Sequence, residues 1–420
     1  MIPVIKAGMP LDFKKILSSR FLFTLGTQMQ AVIVGWQMYR LTHDPLHLGL
    51  IGLAEAIPAI GIALYAGYIV DRSRPLRVFA FVLLGSLLSA LVVFLSQTEH
   101  FIASDHQRVI ALYLASFLTG AARAFSQPAL FAIVPRIVPR EELGAASAWS
   151  MSSMQVARVS GPAIGGLVFG WLGVGVASAL VCISLLLAFV SAVTVEKEIL
   201  PPQHPPGRSI RTELMSGAKF VFTHPVLLPA LSLDMISVFF GGVTALLPIY
   251  ASDILQIDAR GLGLLRAAPA IGAAITGIWL TRADIRARAG GWLFTAVTGF
   301  GVSILIFGLS HSLWLSLVAL ALSGAFDSVS MVVRSTAVQL ASPDKMRGRI
   351  SAVNSIFIGS SNELGEFESG LAARFVGVEQ AVLLGAGICL ATVAGTFFFS
   401  PTLRQLDLVE LGKAREHSAD

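Results

Sequence analysis

Charged residues are scarce in this sequence of 420 residues: 13% are Asp, Glu, Lys or Arg, whereas 55% are hydrophobic. In a soluble domain about a quarter of the residues are charged and roughly half are apolar. Apolar runs of about 20 residues, each long enough to cross a bilayer as a helix, recur along nearly the whole chain. The sequence therefore predicts an all-α membrane protein and argues against a soluble domain.

Cysteine is nearly absent, and residues arranged for catalysis are absent altogether. Cys182 and Cys389 both fall inside apolar runs, where cysteine behaves as a small hydrophobic residue. Neither a disulfide framework nor a metal site is predicted. The eight histidines lie in loops, in the tail or at span ends, and the sequence has no Walker loop, metal-ligand spacing or catalytic triad. We therefore expect no enzyme activity, no ATP hydrolysis and no cofactor.

The net charge of +5 does not indicate nucleic acid, because the basic residues are not clustered on one soluble face. They are instead biased towards one side of the predicted membrane. With the N-terminus inside, the inner segments hold 22 Lys and Arg residues and the outer segments hold three, Arg108, Arg260 and Arg374. Excess positive charge is typical of cytoplasmic loops. We expect a multi-pass protein of the cytoplasmic (inner) membrane, a monomer in the lipid bilayer, with both termini in the cytoplasm.

The apolar runs predict twelve spans in two sets of six. They cover residues 17–41, 47–70, 76–97, 108–132, 145–172, 175–195, 226–251, 261–281, 291–310, 313–340, 349–375 and 379–400. The linker between the sets opens with EKEILPPQHPPGR, whose prolines exclude a continuous helix. SIRTELMSGAKFVF then predicts an amphipathic surface helix with Ser209 as N-cap. The predicted domains are an N-terminal bundle (1–195), a cytoplasmic linker (196–225), a C-terminal bundle (226–402) and a cytoplasmic tail (403–420).

The two halves of the sequence contain an internal repeat. PREELGAASA and PDKMRGRISA share the pattern P-x4-G-x2-S-A at an offset of 204 residues. In the same register, Gly161 and Gly166 correspond to Gly365 and Gly370. Two homologous halves of six spans imply a pseudo-two-fold axis along the membrane normal, with a substrate cavity between the halves.

The loop after the second span, GYIVDRSRPLR, resembles the motif G-x-x-x-D-R-x-x-R-[RK] of the major facilitator superfamily. The family consists of transporters with twelve helices in two pseudo-symmetric six-helix bundles. The resemblance assigns a conformational latch to Gly67, Asp71, Arg72 and Arg74, in which a cytoplasmic charge cluster holds the two halves in one conformation. A neighbouring helix N-terminus would favour the charge of Asp71, and Gly67 would permit close helix approach.

GPAIGG in the fifth span resembles the end of the antiporter signature of this superfamily, G-x8-G-x3-G-P-x2-G-G, although alanines replace the two upstream glycines. Pro162 removes a backbone donor and bends the helix. Gly161 and Gly165 form a flat ridge for a partner helix, and Gly166 completes the motif. Arg158 lies one turn earlier. Tight packing without a transport role is the alternative interpretation, and the resemblance implies export.

AFSQPALFAIVPRIVP and MRGRISAVNSIFIGSSNELGEFESG, among other stretches, resemble the bacterial exporter branch that includes the enterobactin exporter. The resemblance implies an antiporter that exports a small amphipathic molecule, siderophore or drug-like, by alternating access in exchange for protons. A lipid flippase or an importer of the same fold is one alternative. A non-transporting membrane receptor or scaffold is another, although a scaffold has little use for charges inside its spans.

Charged residues inside the spans are the candidate functional residues, since each costs about 2.5–3.5 kcal/mol at mid-bilayer. The basic ones are Arg40, Arg123, Arg158, Arg266 and Arg334, and the acidic ones are Glu55, Asp234, Asp327, Glu363, Glu366 and Glu368. Arg40 and Glu368 lie nearer to outer span ends, where a long side chain can reach the interface. The others are predicted to face inward, where they couple transport to protons or line the cavity.

Glu363 and Glu366 are three residues apart, on one helix face. Two nearby carboxylates disfavour joint ionisation, so this pair predicts a proton carrier. A static network neutralised by Arg266 or Arg158 is equally open. Arg158 suits an anionic substrate or a carboxylate partner.

The remaining interior charges give weaker predictions. Asp327 and Arg334 are seven residues apart, and their shared face permits pairing across two turns. Asp234 and Glu55 lie about a third of the way into their spans and predict coupling or polar lining.

Overall fold

The computed structural model describes residues 9–97, 104–197, 199, 210–283, 285–343 and 346–417. Within these ranges the chain is almost entirely helical, and they contain no β-strand. The helices are α1 (Leu11–Thr42), α2 (Pro45–Arg72), α3 (Pro75–Ser96), α4 (Asp105–Ile137), α5 (Leu143–Val193), α6 (Ile210–Thr223), α7 (Leu227–Gly241), α8 (Leu247–Ile249), α9 (Ala259–Leu280), α10 (Ala289–Gly308), α11 (Leu313–Ala341), α12 (Arg347–Val376), α13 (Val378–Phe399), α14 (Pro401–Arg404) and α15 (Leu408–His417).

Every predicted span corresponds to helical structure, which confirms the all-α membrane fold. In the described ranges, nine helical stretches are long and apolar enough to cross a membrane. One of them, residues 140–193, contains the fifth predicted span and all but the last two residues of the sixth. The helices α1 and α12 are long enough to cross a membrane, at 32 and 30 residues. They are not among the nine because their polar residues lower their hydropathy.

Local sequence signals explain where several helices begin. The side chain of Asp44 accepts a hydrogen bond from the backbone N–H of Leu46, and Pro45 occupies the first helical position of α2. Ser104 caps α4 in the same way, and a proline opens α3. Asp and Ser satisfy the free N–H groups of a first turn, and proline has no N–H to satisfy there.

The repeat predicted from the sequence also appears in the backbone. Gly173, inside α5, has φ 83° and ψ 169°, and Gly377, between α12 and α13, has φ 92° and ψ 157°. Both conformations favour glycine. The two glycines are 204 residues apart, which is the offset of the repeated motif. The fifth span therefore turns into the sixth, and the eleventh into the twelfth, through the same kind of residue.

The chain forms two compact units. The first contains residues 1–205 and 251–267, and the second contains residues 206–250 and 268–420. Residues 251–267, which include the first turns of α9, belong to the first unit although they follow the linker. The domain boundaries predicted from the sequence stay a prediction.

Serine hydrogen bonds hold α1 against α5 in the first unit. Ser19 Oγ donates to Ala188 O at 2.7 Å, and Ser184 Oγ donates to Leu22 O at 2.9 Å. A second polar contact joins α1 to α3, where Gln30 Nε2 donates to Ser89 Oγ at 2.8 Å. In a bilayer, such interhelical hydrogen bonds and small residues replace the hydrophobic driving force for helix association.

The predicted linker helix is present as α6, while its predicted cap Ser209 lies outside the described residues. In the second unit α6 packs on α12: a Cβ at Gly217 would lie 2.9 Å from Arg349 O. Arg349 Nη1 also lies 3.3 Å from Ser216 Oγ. The C-terminal segment is anchored too, since Gly290 N donates to Leu406 O at 2.9 Å.

His224 caps α7 with its neutral imidazole. Its Nδ1 accepts hydrogen bonds from the backbone N–H groups of Val226 and Leu227, at 3.2 and 3.3 Å. Burial lowers the pKa of His224 below its usual value. The unfolded chain therefore takes up this proton first as the pH falls below about 6.5, and the stabilisation present above that pH is lost as the pH falls through the folded pKa.

We expect His224→Ala to lower the free energy of unfolding by about 1 kcal/mol at pH 7.5, because the cap is lost. His224→Asn should keep the cap, because the amide oxygen takes the place of Nδ1, and should remove this contribution to the pH dependence. Thermal unfolding of the purified variants between pH 5 and 8 measures both effects. Parallel pH profiles for wild type and His224→Asn would contradict the assignment.

Candidate functional site

A buried ion pair joins α7 to α11 in the second unit. Nη2 of Arg334 lies 2.7 Å from Oδ1 of Asp234, and the two residues are only 5% and 6% exposed. Ser330 Oγ accepts a 3.3 Å hydrogen bond from Arg334 Nε and also bonds the Asp234 carboxylate. Asp327 repels Asp234 electrostatically, and Arg334 attracts both carboxylates. One guanidinium therefore faces two carboxylates, and its direct partner is on the neighbouring helix.

A cavity of about 180 Å³ adjoins this cluster. Asp234, Asp327 and Arg334 all line it, and apolar side chains such as Phe300 and Leu320 complete its walls. The other polar lining residues are Thr244, Ser323, Ser361 and Asn362. A water molecule occupies about 30 Å³ of liquid volume, so the cavity is large enough for water to reach the charged groups.

Glu363 and Glu366 lie together on α12. Glu363 is buried and Glu366 is half-buried. In the part of the chain that the structure describes, neither lines the cavity, although the adjacent Ser361 and Asn362 do. The role of this pair as a proton carrier stays a prediction.

A second charge cluster lies in the first unit, where α2 meets α4. Arg123 Nη1 donates a hydrogen bond to Glu55 Oε1. Gly120, one turn before Arg123, lies against the backbone of Glu55: a Cβ at Gly120 would be 2.1 Å from Glu55 O. The absence of a side chain at Gly120 therefore lets the two helices approach and brings the two charges together.

Two more arginines approach this pair from α5 and α1. Arg158 is close enough to Arg123 and to Arg20 for like-charge repulsion between the guanidinium groups. Arg20 Nη2 lies 3.3 Å from Met154 Sδ, and Met154 is one turn before Arg158. Among the described residues, Arg158 has no hydrogen-bond or ion-pair partner.

The acidic residues inside the spans lie mostly in the second half, whereas the spans of both halves contain arginines. Glu55 is the one acidic residue within the six predicted spans of the first half. The spans of the second half contain Asp234, Asp327, Glu363, Glu366, Glu368 and Glu379. Arg123 and Asp327 are 204 residues apart, so repeat-related positions hold a cation and an anion. Both follow by one turn a glycine, Gly120 or Gly324, that packs against a neighbouring backbone.

The antiporter-like motif packs α5 against two helices of the first unit. A Cβ at Gly161 would lie 2.6 Å from Gln28 Cβ, and one at Gly165 would lie 2.9 Å from Met29 Cα, both on α1. A Cβ at Gly166 would lie 2.5 Å from Ala259 O, on the first turn of α9. This geometry explains the need for small residues, and the transport role of the motif stays a prediction.

The structure describes only part of the predicted latch. The side chain of Asp71 lies outside the described residues, and Arg72 and Arg74 are exposed. A Cβ at Gly67 would meet no atom within 4 Å, so packing in this conformation does not require glycine there. The latch role of these residues stays a prediction.

Sequence reasoning misses two features of the first unit. It leaves Arg20 out of the charged residues inside the spans, although Arg20 falls inside the predicted span 17–41, and that position was the available signal. The buried Tyr39 donates a hydrogen bond to Asp253 Oδ2, in the π-helical turn Tyr250–Ile254. No sequence pattern indicates a contact between segments so far apart.

Comparisons with known proteins agree with this architecture. A solved POT family transporter in complex with a thioalcohol-conjugated peptide gives a TM-score of 0.75 at 14% identity, covering 95% of this chain and 98% of that one. The nucleoside transporter NupG gives 0.68 at 12% identity, over 92% and 99%. A bacterial homologue of the lysosomal transporter Spinster gives 0.64 at 16% identity, over 97% and 99%. At these identities the likeness shows the fold alone.

Sequence comparisons identify the family of this chain. The enterobactin exporters EntS of Shigella boydii serotype 18 and Escherichia coli O139:H28 are each 27% identical over 417 residues, which is 96% of this chain and 93% of theirs. The family described as transmembrane secretion effector matches residues 11–418. This multi-pass membrane protein is therefore a transporter and not an enzyme, and it belongs to the transmembrane secretion effector family of the major facilitator superfamily.

Proposed function

We propose that this transporter exports a small amphipathic molecule from the cytoplasm by alternating access and that proton entry drives the export. The observation that carries the proposal is the buried Asp234–Arg334 pair, together with the half-buried Asp327, beside a cavity. Ionisable groups within membrane helices are costly, and they mark ion and proton pathways.

The charge balance of this cluster supports proton binding. Arg334 balances the charge of one carboxylate, and its direct partner is Asp234. When Asp327 is also ionised, the cluster carries one excess negative charge at low exposure to water. A proton on one of the two carboxylates removes that excess. Proton binding can shift a conformational equilibrium only if the two conformations differ in proton affinity. The proposal therefore requires this cluster to be more exposed to water in one conformation than in the other.

The direction and substrate class rest on the family. The curated relatives are named as enterobactin exporters, which favours a siderophore or a drug-like molecule as substrate. The excess of positive charge in one set of loops favours a cytoplasmic membrane protein with both termini in the cytoplasm. We propose that it acts as a monomer.

The direct test is transport by the purified protein in liposomes, with enterobactin as the first probe. Counterflow of labelled enterobactin reports the carrier cycle without a proton gradient. An imposed pH gradient then reports coupling, and inverted membrane vesicles report direction. A receptor or scaffold gives no counterflow, and an importer accumulates the probe in the opposite direction. A flippase moves labelled lipid and leaves enterobactin in place.

Asp234→Asn should abolish accumulation driven by a pH gradient while it preserves counterflow, because Arg334 then balances the one remaining carboxylate and no excess negative charge is left for a proton to remove. Glu363→Gln and Glu366→Gln test the α12 pair that the sequence favours. The matched control is Glu379→Gln, in the first turn of α13, which should accumulate the probe like wild type.

The outcomes separate the two proton sites. Normal accumulation in Asp234→Asn, together with loss in a Glu363 or Glu366 variant, would move the proton site to α12. Accumulation by every variant would contradict proton coupling through either group.

A further inference from the structure

The arginines in the first unit need a negative partner that the described residues of this unit supply only in part. Arg20, Arg123 and Arg158 come from three helices, and Arg158 is close enough to each of the other two for their guanidinium groups to repel its own. Glu55 is the one acidic residue in the predicted spans of this half, and it already bonds Arg123. Three cations and one carboxylate leave an excess of two positive charges.

The position of Arg158 indicates a ligand site. Its side chain is exposed although it lies near the middle of the span 145–172. The contact between Arg20 and Met154, one turn away on the same face of α5, shows that this face is turned towards α1. Arg158, on that same face, is therefore turned towards α1, although the protein does not cover its side chain. A cation inside a membrane protein is costly unless it is hydrated or paired.

Arginine is also the appropriate residue for an organic anion. Its planar fork of N–H donors matches the paired oxygens of a carboxylate, and charge-assisted hydrogen bonds of this kind are about twice as strong as neutral ones. Guanidinium groups from three helices can donate more hydrogen bonds to such an anion than a single arginine can.

We propose that Arg20, Arg123 and Arg158 form an anion-binding subsite and that the transported molecule is a small organic anion with carboxylate-like paired oxygens. That the anion is transported rests on the proposed function, whereas its binding to the three arginines does not. Glu55 bonds Arg123 and offsets part of the positive charge, so it competes with the anion for that guanidinium.

The test measures binding without any gradient. Purified protein is placed in nanodiscs of zwitterionic lipid, so that no anionic headgroup can occupy the subsite. The probes are 2-naphthoate and 2-naphthamide, which share a ring system and differ in charge. Wild type should bind the carboxylate at least tenfold more tightly than the amide, as expected for one charge-assisted hydrogen bond.

The variants assign that preference to the cluster. Arg158→Gln and Arg20→Gln should each weaken 2-naphthoate binding by roughly tenfold or more and leave 2-naphthamide unchanged. Arg158→Lys should lose less, because it keeps the charge but not the fork. Glu55→Gln should strengthen 2-naphthoate binding, because it removes the internal competitor. The matched control is Arg40→Gln, an exposed arginine in the last turn of α1, which should bind both probes like wild type.

Two results would overturn the inference: equal binding of the two probes by wild type, or loss of 2-naphthoate binding in Arg40→Gln as large as in Arg158→Gln. The first needs no variant and is independent of folding. Unchanged or weaker binding of 2-naphthoate by Glu55→Gln would count against the three arginines acting as one site. If 2-naphthoate binds through Arg158 but the liposomes show no transport, the subsite stands and the proposed function fails. If neutral or cationic compounds are transported and 2-naphthoate does not bind, the proposed function stands and the subsite fails.

Discussion

Arg334→Gln should lower the free energy of unfolding by about 3–5 kcal/mol, the usual cost of removing one partner from a buried ion pair. The substitution leaves Asp234 and Asp327 facing each other without the guanidinium that acts on both. Asp234→Asn should lower the free energy of unfolding by less, because Arg334 still has the carboxylate of Asp327 to balance its charge. The double variant Asp234→Asn/Arg334→Gln should be more stable than Arg334→Gln alone, because it removes one of the two uncompensated carboxylates.

Tryptophan fluorescence during chemical unfolding in detergent micelles measures this order of stabilities. The matched control is Arg282→Gln, an exposed arginine after α9, which should change the free energy by no more than about 0.5 kcal/mol. Equal destabilisation by Arg334→Gln and Arg282→Gln would show that the ion pair does not hold the second unit together. Equal destabilisation by Arg334→Gln and Asp234→Asn would contradict the interpretation that one guanidinium stabilises two carboxylates.

The helices and the repeat were predictable because both depend on local chemistry. Apolar runs of the right length predict spans whatever their neighbours are, and each predicted span corresponds to helical structure. The repeat offset of 204 residues, found from short motifs, also relates Gly173 to Gly377 and Gly120 to Gly324. At these positions the backbone requires glycine for its φ angle or for close packing.

The partners of the interior charges could not be predicted in the same way. A helical period places Asp327 and Arg334 on one face, but it does not say which neighbouring helix faces them. The structure places Asp234 of α7 there, at 2.7 Å from Arg334. Likewise, the sequence left Arg158 open between a carboxylate partner and an anionic substrate. Its neighbours are two further arginines, and only the packing of α1 and α4 reveals them.

The two units thus have a common scaffold and opposite chemistry. Arg123 and Asp327 occupy equivalent positions, each one turn after a glycine that sets the helix contact. The cationic position has like charges around it and suits an anion. The anionic position shares one guanidinium between two carboxylates and suits a proton. Duplication of one six-helix unit, followed by a change of charge at a few positions, is sufficient to produce the two charge clusters that we propose as the substrate site and the coupling site.

Alanine at Gly120 or Gly324 should destabilise the protein by roughly 1–3 kcal/mol or more, although alanine normally stabilises a helix relative to glycine. A Cβ at Gly120 would lie 2.1 Å from Glu55 O, and one at Gly324 would lie 2.0 Å from Pro269 O. Both obstacles are backbone carbonyls, which cannot rotate away as a flexible side chain can. The helices must therefore separate, and the charge one turn away must move with them.

Two glycines in the helices that Gly120 and Gly324 contact provide the control. Gly61 in α2 and Gly277 in α9 have no atom within 4 Å of the position that a Cβ would take, so alanine there should be neutral or stabilising by up to about 1 kcal/mol. Thermal unfolding of the four purified variants measures the contrast. The functional readout should follow the site: Gly120→Ala should weaken 2-naphthoate binding, and Gly324→Ala should impair accumulation driven by a pH gradient. If Gly120→Ala and Gly324→Ala are as stable as Gly61→Ala and Gly277→Ala, the close helix contacts do not hold the two charge clusters in place.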